Sequence, residues 1–375
     1  MFERIAHITV KEFIELWRDK WGRFRLIVPP ILQMLVFGYA ATFEIYNVQM
    51  AVLDFDHSQE SRELISRFTS SHYFHLEHVE GRESAVANAI DRGGVPLALV
   101  IHAGFAKALT KGESAPVEVL VDGTNSNTAL VALGYVGAIA DQFSADYAVR
   151  TIARSGSPIR PVTVSLEPRP WFNPDLNSRW FFVPGVIATI TIVMVVNLCA
   201  FAIVREREMG TLEQIMVTPI RSTEFILGKT VPFFLVGLGI VALVAGSGIL
   251  WFHVPFTGNP LVLLLGTALF LLCALALGLL ISTVCRTQQQ AFASNFFVLN
   301  PMYILSGFAF PISSMPPALQ WFTVLDPLRY YLVVIRATFL KGVGLADLWP
   351  QMASMAGLGA ALLAFSILRF RKSLD

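Results

Sequence analysis

Four places in this sequence gather side chains that could do chemistry. Asp54, Asp56, His57 and Ser58 stand together. Two carboxylates beside an imidazole could hold a metal or move protons. The same residues at the end of a strand also satisfy the free N–H groups of a following helix. That second reading is the expectation, because no Gly-x-Ser-x-Gly, His-Glu-x-x-His or paired-carboxylate pattern supports an enzyme. Gly228-Lys229-Thr230 has the ending of a phosphate-binding loop, but the pattern needs glycine at 223, where Thr223 stands. Asp326 and Arg329 lie three apart in an apolar segment, where a structural ion pair is expected ahead of a transport role. The fourth place is a charged stretch, VREREMGTLEQIMVTPIRSTEFILGK (204–229), wedged between two long apolar runs.

Those runs explain where the charged stretch sits. Phe181–Ile203 and Thr230–Phe252 contain no Asp, Glu, Lys or Arg, and about 20 apolar helical residues cross a hydrocarbon core. Composition agrees: 54% of the 375 residues are hydrophobic and 15% are charged, against about 25% charged in soluble domains. The net charge of +1 gives no reason to expect nucleic acid as a partner. Six spans are expected, at about 26–46, 180–204, 229–252, 261–284, 291–311 and 349–369. The run beginning at Leu26 reads as a span rather than a cleaved leader, because the residues before it are too long and too patterned for a leader's basic end. Ile5, Ile8, Glu12, Phe13, Leu16 and Trp17 recur at near-helical spacing, so residues 1–25 read as an amphipathic interface helix with Trp17 and Trp21 at headgroup depth. The basic N-terminal segment, Arg369–Lys372, loop 205–229 and Arg286 put both termini in the cytoplasm. Loop 312–348 runs against that bias, with Arg329, Arg336 and Lys341 on the outer side. Pro311, Pro316, Pro317 and Pro327 break this loop, yet its aromatic and aliphatic residues suit short helices that re-enter the bundle from outside.

Residues 47–178 have ordinary soluble character and no cysteine. Strands are expected at Val48–Phe55, Leu97–Ile101 and Val117–Val121, and helices at Ser58–Ser70, Glu83–Arg92, Phe105–Leu109 and Asn125–Arg154, the last capped by Asn125 or Ser126. The alternation predicts an inserted α/β domain. The fold class expected is thus a polytopic α-helical membrane protein: six transmembrane helices, an extracytoplasmic α/β domain at 47–178, and a five-helix region at 179–375.

The block RERE-MGTLEQIMVTP-IRSTEFILGK is similar to the signature of permease subunits of type-2 ABC exporters. Two further blocks agree: SGFAFPISSMPPALQWFTVLDPLRYYLVVIRATFLKG (306–342) and the tail LRFRKSL (368–374). LVDGTNSNTALVALGYVGAI (120–139) resembles the external domain of the subset with a large first external loop, which is bacterial multidrug-export-like. The resemblance implies a multi-pass inner-membrane protein whose loop 205–229 forms a coupling helix held by a separate cytoplasmic ATPase. Gly210 and Thr211 would open that helix, with Thr211 placed to cap it. Leu212, Ile215 and Met216 would give its docking face, Glu213 and Gln214 the polar contacts, and Pro219 its end. Glu206 and Glu208 sit where the family has acidic residues, and both a coupling role and plain interfacial solvation fit them. ATP and magnesium would bind to the partner ATPase and not to this chain. A second permease subunit, identical or not, would complete the pathway, and a periplasmic adaptor is a further candidate partner.

The implied cargo is hydrophobic or amphipathic, drug-like or lipid-like. Asn197, Asn295, Asn300 and Ser306 either line its route or join helices, with helix joining the expectation. Three other classes fit less well. A membrane-embedded enzyme would need intramembrane His, Asp or Glu in catalytic arrangement, and the candidate spans nearly lack them. An ion-coupled secondary transporter would show internal repeats and midplane charges. A receptor with an extracytoplasmic sensor would need a cytoplasmic signalling domain.

Overall fold

The computed structural model describes residues 2–40, 48–77, 86, 90, 95–122, 126–155, 172–173, 177–211 and 222–372. The chain divides into two units, residues 43–169 and the remainder.

The smaller unit is a four-stranded sheet in the order β2-β1-β3-β4. Its strands are β1 (Val48–Asp54), β2 (Phe74–Glu77), β3 (Leu97–Ile101) and β4 (Val117–Val121), with β1 parallel to β2 and β3, and β4 antiparallel to β3. Helices α3 (Gln59–Ser70), α4 (Phe105–Lys111) and α5 (Ser126–Ser155) accompany it. All five residues of β3 are buried, as a run without alternation demands of a strand covered on both faces. Leu97, Leu99 and Ile101 pack with Phe68, Phe105 and Phe143, while Ala98 and Val100 pack with Val86 on the other face. The expected strands at 97–101 and 117–121 coincide with β3 and β4, whereas β2 was not expected. The helix expected over Glu83–Arg92 lies outside the described residues apart from helical Val86 and Ile90, as does Asn125, while Ser126 is the first residue of α5.

The acidic cluster after β1 is a turn. Asp54 Oδ1 accepts from the backbone N–H groups of Asp56 and His57, both at 3.0 Å, and its Oδ2 accepts from Ser61 Oγ at 2.6 Å. Ser58 caps α3, accepting from Ser61 N at 3.0 Å. Asp56 accepts from Gly104 N and Ala106 N at the start of α4. Every acceptor of the cluster named here is turned to the chain's own donors.

A second carboxylate ties α3 to α5. Arg150 donates twice to Glu63, at 2.7 and 3.0 Å, and Arg67 bonds both Glu63 and Asp146. The Arg150 hydrogen bonds hold the Glu63 carboxyl below its ordinary range, and the Ser58 and Ala106 hydrogen bonds do the same for Asp56. A folded pKa below the unfolded one stabilises above the unfolded value, and that stability is lost as pH falls through the folded one. Amide-exchange protection in α3 and the 102–106 turn should therefore hold at neutral pH and drop as pH is lowered from about 5 to about 3. Protection unchanged across that range would remove these carboxylates from the account.

The larger unit is helical. It opens with α1 (Phe2–Arg18) and α2 (Lys20–Ala40), then α6 (Ser178–Glu208), α7 (Ser222–Leu250), α8 (Pro260–Val284) and α9 (Gln288–Leu305). A short α10 (Pro317–Phe322), α11 (Pro327–Arg336) and α12 (Leu345–Lys372) complete it. Helix α8 packs against α6, α7, α11 and α12. Phe270, Leu271, Ala274 and Leu275 lie at its buried centre with Ile187, Val195, Val196 and Ala200 of α6. Among the described residues, four stretches are long and apolar enough to cross a membrane: Ser178–Glu208, Glu224–Leu250, Pro260–Val284 and Leu345–Arg369. The other two expected spans contain helices that fall short of that measure. Helix α2 begins with Lys20, Arg23 and Arg25, with residues 41–47 undescribed, and α9 opens on three glutamines and carries Asn295 and Asn300.

Segment 312–348 folds as short helices. Pro317 and Pro327 each stand at a helix's first turn, where a missing N–H costs nothing. Leu328, Tyr331, Leu332, Val334 and Ile335 of α11 are buried. The expected Asp326–Arg329 ion pair does not form. Asp326 Oδ1 instead caps α11, accepting from Leu328 N at 2.9 Å, and the Arg329 guanidinium turns back to the Thr323 hydroxyl. Capping claims the carboxylate because the first N–H groups of a helix have no other partner. Pro311 and Pro316 precede a 3₁₀ turn and α10, and neither makes a side-chain cap.

Candidate functional site

The site is built where α1 crosses the start of α7. Gly228 permits the approach: a Cβ there would stand 2.8 Å from the Ile8 side chain, and Thr9 Oγ1 donates to Gly228 O at 3.2 Å. One turn along α1, this contact sets Glu12 beside Lys229. The Lys229 Nζ lies 3.0 Å from Glu12 Oε1 and 2.8 Å from Oε1 of Glu206 on α6. The three side chains are 3%, 6% and 9% exposed, which makes this a buried cluster rather than a surface ion pair. Lys229 also stands 3.5 Å from Ala202 O and 5.5 Å over the Phe225 ring. Lys11, half exposed, approaches Glu206 at 3.8 Å. Two carboxylates sharing one buried ammonium tie α1, α6 and α7 together, and each needs the cation because a lone buried charge is costly.

The residues next to Glu206 tie in two more helices. Arg207 Nη1 donates to Ser282 O and Cys285 O at 3.1 and 2.8 Å, closing the C-terminus of α8. Glu208 Oε2 accepts from Gln288 N and Nε2 at 3.3 and 2.9 Å, at the start of α9. Gly210, at φ 72°, ends α6 in the left-handed conformation that suits glycine, and its N–H bonds Arg207 O at 3.1 Å. The Thr211 hydroxyl donates backward to Glu206 O at 3.1 Å, and Thr211 is itself helical, the last described residue before 212. Leu212, Glu213, Gln214, Ile215, Met216 and Pro219 lie outside the described residues. Glu206 is not an interfacial, solvated carboxylate; it is buried because α1 covers it.

The sequence reads Glu12 as part of an amphipathic stripe and Lys229 as a loop charge ending an incomplete phosphate-loop pattern, and it does not pair them. The legible signal was an acid at 12 between Ile8 and Leu16, four residues either way on one helical face. A carboxylate on the packing side of a helix needs a cation.

A second feature runs along α6 and α9. Two cavities of about 210 and 260 Å³ share Thr189, Val193 and Tyr303 in their walls. Asn197, Asn295 and Asn300 line the larger one, and Gln33, Phe37 and Phe308 the smaller. Asn295 Nδ2 donates to Asn197 Oδ1 at 2.7 Å, joining the two helices. Ser306 belongs to neither wall; it turns the end of α9, donating to Tyr303 O. Replacing Asn295 with leucine should lower thermal stability by about 0.6–1.7 kcal/mol, the range of interhelical hydrogen bonds in membranes. An unchanged Tm would show that this bond does not join the helices.

Among the described residues, the arrangement offers no nucleophile and no acid–base pair aimed into a cleft. It offers a charged junction of five helices beside the segment 212–221. The profile of the ABC-2 family transporter proteins matches residues 20–368. The chain is 32% identical over 368 residues to the probable multidrug ABC transporter permease YbhR of Escherichia coli, covering 97% of this chain and 98% of that one. It is 30% identical over 344 residues to YbhS of the same organism, covering 91% and 89%. A more distant match is ABC transporter G family member 20 of Dictyostelium discoideum, 24% identical over 90% of this chain and 46% of that protein. The chain belongs to the ABC-2 transporter family and is a multi-pass membrane permease subunit of an ABC exporter.

Proposed function

We propose that this permease exports a hydrophobic or amphipathic cargo, drug-like or lipid-like, using ATP hydrolysed on a separate ATPase subunit with its magnesium. The observation that carries the reading is the buried Glu12–Lys229–Glu206 cluster, because it braces both helices that flank loop 205–229. A push on that loop from a docked ATPase reaches α6 and α7 together, and through Arg207 and Glu208 it reaches α8 and α9. Such a push does work only if its contacts differ between two states of the bundle. Leu212, Ile215 and Met216 form the docking face, Glu213 and Gln214 flank it, and Pro219 ends it.

In this reading six helices span the inner membrane, α2 and α9 included. Both termini and loop 205–229 face the cytoplasm, residues 47–178 face the other side, and 312–348 re-enters from that side. Val10, Ile14 and Trp17, exposed on α1, rest on the lipid interface. Two permease subunits, identical or paired with a relative, enclose the pathway, and the cavities along α6 and α9 are where cargo leaves the bilayer. The multidrug names of YbhR and YbhS support a broad apolar cargo. An adaptor on the far side is an additional partner.

The test is co-purification of the detergent-solubilised chain with candidate ATPases, comparing wild type, Gly210→Pro and Leu212→Glu. Wild type should retain a Walker-type ATPase, and both variants should lose it while remaining monodisperse. Equal retention by all three would place the docking face elsewhere.

A further inference from the structure

The two cavities along α6 and α9 share one construction. On α6, Thr189, Val193 and Asn197 recur every four residues. On α9, Phe292, Phe296 and Asn300 do the same, with Tyr303 three residues on. Gln33 and Phe37, four apart on α2, wall the smaller cavity. Residues four apart lie on one face of a helix, so three helices each turn one stripe to a common groove. Thr189, Val193 and Tyr303 stand in both of its halves. From Val186 to Asn197 the groove follows α6 for about 16 Å. Neither half, at about 210 and 260 Å³, reaches the roughly 300–1,000 Å³ of a drug-sized site, and the two together do.

Some polar groups of this groove are spent and others are open. Asn295 and Asn197 bond each other across the helices, and the Thr189 hydroxyl donates to Gly185 O at 2.9 Å. Among the described residues, the side-chain amides of Gln33 and Asn300 and the Tyr303 hydroxyl have no such partner. None of these three residues is fully buried, and Asn300 is exposed, so an occupant of the groove reaches them. Polar side chains of a membrane bundle ordinarily bond from helix to helix. Three that do not, along one groove, are placed to answer a ligand. Among the described residues, neither wall contains an Asp, Glu, Lys, Arg or His. The rings of Phe292 and Phe296 attract a cation, but that attraction is smaller than the cost of a charge at the centre of a membrane helix with no counter-charge beside it. An anion meets the same cost without help from the rings.

We propose that this groove takes uncharged cargo, an apolar body carrying hydroxyl, carbonyl or amide groups, and rejects permanent cations and anions. Gln33 answers a polar group at the end nearer Phe308, Asn300 one at the end nearer Asn197, and Tyr303 one between them. The inference rests on the reading above that cargo passes through these cavities.

The experiment is fluorescence titration of the purified full chain in nanodiscs. The probes are three dansyl sulfonamides that share one alkyl chain and end in a hydroxyl, a trimethylammonium or a carboxylate. Wild type should bind the hydroxyl probe saturably and at least about tenfold more tightly than either charged probe. Asn300→Leu and Tyr303→Phe should each weaken the hydroxyl probe by about two- to tenfold, the scale of one hydrogen bond. Neither side chain has an internal hydrogen bond to lose, so both variants should fold. Asn300→Asp should raise the trimethylammonium probe to at least the affinity of the hydroxyl probe, because it supplies the missing counter-charge. A charged probe that binds wild type as tightly as the hydroxyl probe, and is weakened with it by Asn300→Leu and Tyr303→Phe, would overturn the charge selection while leaving the groove as a cargo site. Affinities for all three probes that no variant changes would overturn the groove itself as the place of cargo. ATPase co-purification is untouched by either result, so coupling to ATP is judged separately.

Discussion

Lys229→Met is expected to destabilise the protein by about 3–5 kcal/mol, the cost of removing one partner from a buried ion pair. The physical reason is what stays behind. Glu12 and Glu206 are 6% and 9% exposed and both approach the Lys229 ammonium within 3.0 Å. Without it, two carboxylates face each other beside an apolar bundle, and Lys11 at 3.8 Å and half exposed cannot replace it. One of them must take a proton or α1 must lift from α7. The expected result is a lower Tm in detergent, with faster proteolysis in α1. The triple variant Glu12→Gln, Lys229→Met, Glu206→Gln should recover most of the lost stability, because replacing all members of a buried charge cluster is far less costly than orphaning one. If Lys229→Met melts with wild type, the cluster is not buried as described.

Gly278→Leu should have the next largest effect. A Cβ at Gly278 would stand 2.8 Å from Cys199 Cβ and 2.9 Å from Val196 O. The second contact is backbone, so no rotamer change can relieve it. Helices α6 and α8 must separate at the centre of their packing, where Leu275 and Ala200 are fully buried. Overpacking of this kind costs about 1–3 kcal/mol, more where backbone must move, and close helix approach in membranes depends on such small residues. Thermal unfolding checks the stability. A Gly278→Leu protein with wild-type Tm would contradict the close α6–α8 crossing.

The parts legible in the sequence were those that local pattern controls. An uninterrupted run such as Leu97–Ile101 announces a covered strand, and apolar lengths such as 261–284 announce a span. Strand β2 escaped because Phe74–Glu77 is four residues long and half polar; its place comes from parallel pairing with β1, a long-range fact. Asp326 and Arg329 had the spacing of a pair, but spacing does not reveal that Asp326 would be claimed by the N–H of Leu328. Most of the candidate site was hidden for the same reason. RERE looked like boundary charge, yet its successive residues face α7, α8 and α9 in turn. The partner of Glu206 is Lys229, joined from the other side by Glu12, far away in sequence. What was readable was the anomaly of a carboxylate between Ile8 and Leu16.

The central claim is that ATP hydrolysis on a partner subunit reaches the membrane helices through the junction around Glu206. The most direct measurement is ATP turnover of the co-purified complex in proteoliposomes, with and without an amphipathic cargo, for wild type and the triple neutral variant. The account predicts that cargo stimulates turnover in wild type, and that the triple variant keeps its ATPase and its basal turnover but loses the stimulation. Equal stimulation in both proteins would contradict it, because the buried cluster would then be no part of the route between cargo and ATP.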